Sequence, residues 1–76
     1  MEKEELEDIL KEIKPDVDFK NEKHLITDEI LTSFDIVSLV AEIQDKFDVN
    51  LDITDLTPEN FETMDSIYEL IKEKEE

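Results

Sequence analysis

The sequence contains no cysteine, glycine, tryptophan or arginine, and only two of its 76 residues are proline. Without cysteine there is neither a disulfide framework nor a thiolate ligand for a metal, so any thiol chemistry must come from an added group. No apolar run approaches the roughly 20 residues that a membrane-spanning helix needs. The segment Met1–Glu5 also lacks the basic and apolar regions of a signal peptide. We therefore expect a soluble cytoplasmic protein that does not bind a membrane.

Positive charge is scarce, because eight lysines stand against 24 acidic residues and the formal net charge is −16. Nucleic-acid binding needs cationic side chains that neutralise phosphates, so the composition argues against nucleic acid and predicts partners with basic patches. A chain this short buries only about 60 to 65 % of its unfolded surface. We expect one domain over residues 1–76, a monomer without a deep catalytic cleft, and no enzyme activity.

Helical spacing of apolar residues argues against the disorder that such a charge would permit. The first amphipathic pattern predicts a helix from about Glu2 to Lys14, which Pro15 ends, with an apolar face made of Leu6, Ile9, Leu10 and Ile13. From Pro15 to Thr32 the spacing lapses over a stretch too long for a passive connection in a small domain. We interpret this stretch as a packed loop.

A second helix is predicted from about Phe34 to Phe47, with Ser33 as its N-cap. Its apolar residues share one sector of the helical wheel: Ile36, Leu39, Val40, Ile43 and Phe47. Apolar and polar residues alternate from Val49 to Ile53, but this segment is too short to predict a strand.

The C-terminal third predicts a short helix and a longer one. Thr54 or Thr57 can cap the short helix near Phe61, and Pro58 suits its first turn. Thr63 is the predicted cap of the last helix, whose apolar face is Met64, Ile67, Tyr68 and Ile71 and which frays from Lys72 onward.

The predicted fold is therefore all-α, a small four-helix bundle of three longer helices and one short third helix, with a long ordered first loop. The predicted core is drawn from the apolar positions of these segments: Leu6, Ile9, Leu10, Ile13, Ile36, Val40, Ile43, Phe47, Leu51, Ile67, Tyr68 and Ile71.

Ser33 is the residue to which the chemistry points. By itself, a serine before a helix usually satisfies a backbone donor and contributes about 1 kcal/mol. His24 is the only histidine, and nothing completes a nucleophilic triad. The segment 31–40, LTSFDIVSLV, nevertheless resembles the phosphopantetheine attachment region of acyl and peptidyl carrier proteins, usually written Gly-x-Asp-Ser-Leu. Ser33 takes the modified position in this resemblance.

The resemblance continues through residues 42–49 and 61–67, so it covers most of the chain. It departs from the family at Thr32, which stands where aspartate is usual, and in the missing glycine. It implies an acyl-carrier-protein-like fold and a 4′-phosphopantetheine arm on Ser33, donated from coenzyme A by a phosphopantetheinyl transferase. The arm would carry acyl or aminoacyl intermediates as thioesters to loading and processing enzymes with basic docking patches.

The same resemblance implies that the second helix is the docking surface. On a helical wheel of the second helix, its acidic residues lie opposite the side that faces the core. A strip of apolar residues lies between the acidic side and the core side. The predicted partner-recognition residues are Phe34, Asp35, Val37, Ser38, Ala41, Glu42 and Asp45. Without the resemblance, an ordinary solvated helix face explains the acidic set as well.

Other functions remain open from the sequence. The chain could be an acidic helical interaction module without covalent cargo, a degenerate carrier relative. A calcium loop is suggested by Asp48, Asn50, Asp52 and Glu59, but Ile53 occupies the position that demands glycine. An acid and base pair of carboxylates finds no support beyond the abundance of acids, and His24 is expected at the surface without a metal role. The sequence leaves fatty, polyketide, aminoacyl and D-alanyl cargo undecided.

Overall fold

The computed structural model describes residues 2–75, apart from the side chain of Ile53, and this part of the chain folds into four α-helices without a strand. The helices are α1 (Lys3–Ile13), α2 (Ser33–Phe47), α3 (Pro58–Phe61) and α4 (Met64–Lys74), and a 3-10 turn (Ile53–Asp55) precedes α3. Helix α1 packs against α2 and α4, and α3 packs against α4. The predicted small all-helical fold of three longer helices and one short one is thereby confirmed.

Helix ends follow the local signals closely. Helix α1 begins and ends within one residue of the prediction and stops before Pro15. Thr57 occupies the N-cap position of α3 and Pro58 its first position. The Thr63 hydroxyl accepts the backbone N–H of Ser66 at 3.0 Å, which confirms Thr63 as the cap of α4.

The predicted fraying of the last helix from Lys72 is wrong, because α4 continues to Lys74. Lys74 Nζ lies 3.0 Å from the Asp55 carboxylate in the 3-10 turn. The Lys72 ammonium lies over the Tyr68 ring, 5.3 Å from its centroid. Both lysines therefore gain partners that a solvated helix end would lack.

The first loop, residues 14–32, packs into the core as predicted. Phe19, Leu25 and Leu31 are buried, and Ile26 and Ile30 are half-buried against them. Backbone hydrogen bonds close the second half of the loop, where the Leu31 N–H donates to the Leu25 carbonyl at 2.9 Å. The loop thus forms one wall of the domain beside the start of α2.

The core differs in part from the predicted one. Six of the predicted residues are buried as expected: Leu6, Ile9, Leu10, Ile43, Ile67 and Ile71. The others are only half-buried at the margin, namely Ile13, Ile36, Val40, Phe47, Leu51 and Tyr68. Their places in the centre are taken by residues of the loops and by other helix positions: Phe19, Leu25, Leu31, Leu39, Val49, Phe61, Met64 and Leu70. Leu39 and Met64 belong to the predicted apolar faces of α2 and α4. The loop residues among the others lie where helical periodicity carries no information about apolar side chains.

Candidate functional site

Ser33 is exposed and is the first residue of α2, not its N-cap as predicted. The cap is Thr32, whose hydroxyl accepts the backbone N–H of Asp35 at 3.2 Å. The Ser33 hydroxyl makes no hydrogen bond to any residue in the range 2–75. Because its neighbour performs the capping, the Ser33 hydroxyl is not committed to holding the helix.

Asp35 does not lie on the exposed acidic face where the wheel placed it. It is only 9 % exposed. Its carboxylate accepts the backbone N–H and the hydroxyl of Thr32, both at 3.0 Å, and lies 3.4 Å from Lys14 Nζ. The Thr32 backbone N–H, followed by the Thr32 hydroxyl and Lys14, holds the pKa of Asp35 below its ordinary value although burial opposes this. Asp35 folds back over the helix start, and its charge is offset there.

The start of α2 can accept an anion. The backbone N–H groups of Ser33 and Phe34 donate to no acceptor among residues 2–75. Unpaired N–H groups and the positive end of the helix dipole favour negative charge at this position. The competing charge nearby is that of Asp35, which is already bound by Thr32 and Lys14. The residues present therefore fit a phosphodiester on the Ser33 hydroxyl.

Most of the predicted recognition residues do share one exposed surface beside Ser33. Phe34 is 78 % exposed and Val37 65 % exposed, although both are large apolar side chains. Ala41, Glu42 and Asp45 are exposed as well, and Ser38 is half-buried. We call Phe34, Val37, Ala41, Glu42 and Asp45 the α2 surface. It combines an apolar strip with two carboxylates.

A cleft of about 330 Å³ opens directly beside Ser33. It lies between the first loop, the start of α2 and the segment that leads into α3. Seven apolar residues line it, Ile26, Leu31, Ile36, Val37, Leu56, Pro58 and Phe61, together with Thr32, Ser33 and Thr57. None of these residues carries a charge, in a chain of which 42 % is charged. The cleft runs inward from exposed Val37 to buried Leu31 and Phe61.

Glu62, which follows α3, fixes the loop wall of this cleft. Its Oε1 accepts the backbone N–H groups of Ile26 and Thr27, each at 2.9 Å, and its Oε2 accepts the Thr27 hydroxyl. Its backbone carbonyl accepts the Leu25 N–H at 3.0 Å. The Thr27 hydroxyl, with the Thr27 and Ile26 N–H groups, holds the pKa of Glu62 below its ordinary value. The carboxylate therefore binds the loop in its ionised form.

Sequence reasoning missed both the cleft and Glu62. The bonds from Glu62 reach across 35 and 36 positions of the chain, and no spacing rule relates residues so far apart. The lining residues Ile26, Leu31 and Leu56 lie outside the helices and follow no period. The one available signal was the apolar content of the first loop, which predicts that the loop packs but not which segment it packs against.

The residues of the calcium pattern do not assemble into a cation site. Within residues 2–75, no three His, Asp or Glu side chains are grouped so that they could hold a metal ion. His24 is exposed, as predicted. In the same part of the chain, no helix combines the length and the apolar character needed to cross a membrane.

No protein-family model matches the chain, and no curated protein matches it. The features that bear on function are therefore the chain's own residues and their geometry at the start of α2.

Proposed function

We propose that this chain is an acyl carrier protein that holds acyl or aminoacyl cargo on a 4′-phosphopantetheine arm attached to Ser33. The observation that carries the proposal is the uncommitted Ser33 hydroxyl, exposed at the first position of α2 beside two unpaired backbone N–H groups. The motif around Ser33 resembles the attachment region of carrier proteins, and the small all-helical fold is compatible with theirs. An acyl-carrier-protein-like fold is part of this proposal.

Attachment is a phosphoryl transfer from coenzyme A. The Ser33 hydroxyl oxygen forms the new phosphorus–oxygen bond, the phosphoanhydride bond of coenzyme A breaks, and adenosine bisphosphate leaves. The hydroxyl proton passes to a base of the transferase, since the Ser33 hydroxyl has no hydrogen-bond partner within residues 2–75 that could accept it. The attached arm supplies the thiol that a chain without cysteine lacks.

The protein's own residues contribute position and charge. Thr32 and Asp35 hold the start of α2, so that Ser33 is presented on a rigid element. The N–H groups of Ser33 and Phe34 supply donors for the phosphodiester. Lys14 offsets the Asp35 carboxylate, which reduces repulsion between this carboxylate and the phosphate.

The α2 surface is proposed as the docking face for the transferase and for the loading and processing enzymes. Phe34 and Val37 offer apolar contact area that is already solvent-exposed, so docking removes it from water at no cost to the fold. Glu42, Asp45 and the net charge of −16 steer basic partners toward it. Asp35 is buried and is not part of this docking surface.

The decisive experiment is to weigh the protein. The purified chain is incubated with coenzyme A and a broad-specificity phosphopantetheinyl transferase, and intact mass is measured before and after. We expect the mass of one phosphopantetheine on the wild type and none on Ser33→Ala, while Ser38→Ala, a second serine on the same helix, gains it normally. No gain on the wild type, or a gain retained by Ser33→Ala, contradicts the proposal.

The alternative function, an acidic interaction module without covalent cargo, uses the same α2 surface but does not need the Ser33 hydroxyl. The same experiment separates the two. An unmodified wild type that still captures a basic partner, with capture unchanged in Ser33→Ala, favours the interaction module.

A further inference from the structure

Three donors converge on a single oxygen of the Asp35 carboxylate, two residues after Ser33. The Thr32 backbone N–H and hydroxyl each donate to Oδ2 at 3.0 Å, and Lys14 Nζ lies 3.4 Å from the same atom. The two Thr32 donors are neutral, so they leave the carboxylate with its full negative charge. Of the three donors, Lys14 is the one that carries a positive charge, and it makes Asp35 one half of an ion pair.

Lys14 belongs to a different helix from Asp35, and its backbone is held in place. It is the C-cap of α1, where its N–H donates to the Leu10 carbonyl at 2.9 Å and its carbonyl accepts the Val17 N–H at 3.3 Å. A cation is also favoured at this end of a helix, because the dipole of α1 is negative there. The ammonium group therefore reaches the start of α2 from a backbone that is itself hydrogen-bonded.

The charges at the start of α2 make this ammonium group important for the proposed chemistry. A phosphodiester on Ser33 brings a negative charge to the helix start, two residues before Asp35. The helix dipole supplies roughly half a positive elementary charge there, which is too little to offset two anions. Beside Lys14, the phosphodiester meets an ion pair. Without Lys14, it would meet an uncompensated carboxylate that is only 9 % exposed and so weakly screened by solvent.

We infer that Lys14 is a positioning residue for the transfer of the phosphopantetheine arm to Ser33, and that it acts through Asp35 on the transfer step and not on docking. The inference rests on the proposed function, because the arm must be transferred to Ser33. In this step Ser33 Oγ forms the new phosphorus–oxygen bond, the phosphoanhydride bond of coenzyme A breaks, adenosine bisphosphate leaves, and the hydroxyl proton passes to the transferase. Negative charge is spread over the oxygens of the phosphoryl group during transfer, so an uncompensated Asp35 raises the barrier.

Single-turnover kinetics separate the transfer step from docking. The unmodified protein is mixed with excess coenzyme A and increasing concentrations of a broad-specificity transferase, and the modified fraction is followed by intact mass. The rate at saturating transferase reports the transfer step, and the transferase concentration that gives half of this rate reports docking. Lys14→Met should lower the saturating rate about three- to tenfold at low ionic strength and less at high salt, with the half-saturating concentration nearly unchanged. Lys14→Arg keeps the charge and should stay close to wild type.

A second substitution tests whether Lys14 acts through Asp35. Asp35→Asn removes the charge but keeps a side-chain oxygen that can accept the Thr32 N–H. We expect Asp35→Asn to be modified at least as fast as wild type, and the double variant Lys14→Met/Asp35→Asn to be as fast as Asp35→Asn. A loss of rate that persists in the double variant would mean that Lys14 acts directly on coenzyme A or on the transferase, which overturns the inference.

Lys20 provides a matched control for the change of net charge. It belongs to the first loop, and its ammonium group lies 3.9 Å from the Glu7 carboxylate of α1 instead of pairing with the start of α2. Lys20→Met should therefore keep the wild-type saturating rate. Circular dichroism at the assay temperature verifies that each variant is folded. Lys14→Gln replaces Lys14→Met if the latter does not fold, and the comparison within the Asp35→Asn background applies to either variant.

The outcomes separate this inference from the proposed function. If the wild type is modified and Lys14→Met has the same saturating rate, or if Lys20→Met slows the transfer equally, the inference is overturned and the carrier function stands. If Lys14→Met changes the half-saturating concentration alone, Lys14 acts in docking, which also overturns the inference. If the wild type is not modified, the proposed function fails, and the role of Lys14 fails with it.

Discussion

Thr32 and Asp35 bind each other reciprocally across the start of α2. The hydroxyl donates to Asp35 Oδ2 at 3.0 Å and accepts the Asp35 backbone N–H at 3.2 Å. The Thr32 backbone N–H donates to the same carboxylate at 3.0 Å. This is the reciprocal arrangement of a capping box. Ser33 lies between its two residues in the sequence, but the Ser33 side chain takes no part in it.

The first prediction distinguishes the two candidate caps. Thr32→Ala should lower the free energy of unfolding by about 1 kcal/mol, because it removes the acceptor for the Asp35 N–H. Ser33→Ala should change it by less than about 0.5 kcal/mol, since the Ser33 hydroxyl has no partner among residues 2–75. Urea denaturation of the three proteins measures both values. A larger loss in Ser33→Ala than in Thr32→Ala would restore Ser33 as the cap.

The second prediction concerns the pH dependence of Asp35→Asn. The pKa of Asp35 is lowered in the folded state, so its ionised form stabilises the fold above the ordinary aspartate pKa of about 3.9. This contribution is lost as the pH falls through the lower folded-state pKa. Asp35→Asn should therefore be less stable than wild type at pH 7, by about 1 kcal/mol, and the difference should vanish in strong acid.

Urea denaturation at neutral and acidic pH tests this sign. The control is Asp45→Asn, which removes a charge from an exposed position of the same helix. It should not reproduce the loss at neutral pH. A wild-type advantage over Asp35→Asn that grows as the pH falls would contradict the assignment.

The third prediction follows from the missing glycine. Asp48 ends α2 in the left-handed region, with φ 55° and ψ 46°, and its N–H donates to the Gln44 carbonyl at 3.1 Å. Glycine is the residue most suited to this conformation, and a carboxylate at a helix C-terminus opposes the dipole. Asp48→Gly should therefore raise the free energy of unfolding by about 0.5 to 1 kcal/mol.

The same substitution inside the helix should act in the opposite direction. Asp45→Gly, at an exposed interior position of α2, should lower stability by about 1 kcal/mol. Asp48→Asn isolates the contribution of charge from that of backbone conformation. If Asp48→Gly destabilises the protein as much as Asp45→Gly does, the left-handed cap is not the relevant feature.

The fourth prediction concerns salt. The net charge of −16 should make the melting temperature rise with ionic strength, and millimolar magnesium should act in the same direction. Four lysine ion pairs of residues 2–75 oppose this trend, joining Lys3 to Asp65, Lys14 to Asp35, Lys20 to Glu7 and Lys74 to Asp55. Of these, only the pair of Lys3 with Asp65 is well exposed on both sides, and such a pair contributes about 0 to 1 kcal/mol. Four pairs offset few of the 24 acidic residues, so repulsion should dominate. Thermal denaturation across a sodium chloride series checks this, and a flat or falling melting temperature would contradict it.

The fifth prediction concerns docking and rests on the proposed function. Reversing Glu42 and Asp45 to lysine should slow modification of Ser33 about tenfold at low salt, with a smaller effect at high salt. The control reverses Glu4 and Asp8, which are exposed on α1, and so makes the same change of net charge elsewhere. Equal slowing by both pairs would mean that net charge alone, and not the α2 surface, steers the transferase.

Much of the fold could be predicted because residues close to the helix ends mark where the helices begin and stop. Pro15, Pro58 and Thr63 each act on the backbone of residues within a few positions of themselves, and a sequence pattern reports this range. The predicted N-cap of α2, Ser33, is one residue too late, although the sequence contains the signal for Thr32. Thr32 has an acidic residue three positions later and Ser33 has Ile36, so only Thr32 can form a capping box.

The parts of the site that could not be predicted depend on contacts between distant segments. Asp35 is polar and faces away from the core sector of its helix, yet Lys14 from the end of α1 lies beside it. The first loop acquires its position from Glu62, 35 or more residues away. Burial and partner choice at such positions are properties of the packed chain, whereas helical periodicity describes one element at a time.

Because Thr32 and Asp35 cap α2, the Ser33 hydroxyl can react without loss of a hydrogen bond that stabilises the fold. A group that replaces the Ser33 hydroxyl hydrogen breaks no hydrogen bond within residues 2–75. We therefore expect a phosphodiester at this position to change the unfolding free energy only through its charge at the helix start, by about 0.3 to 1 kcal/mol. The chain should then reach its folded state whether or not Ser33 carries a group, so folding does not depend on the modifying enzyme.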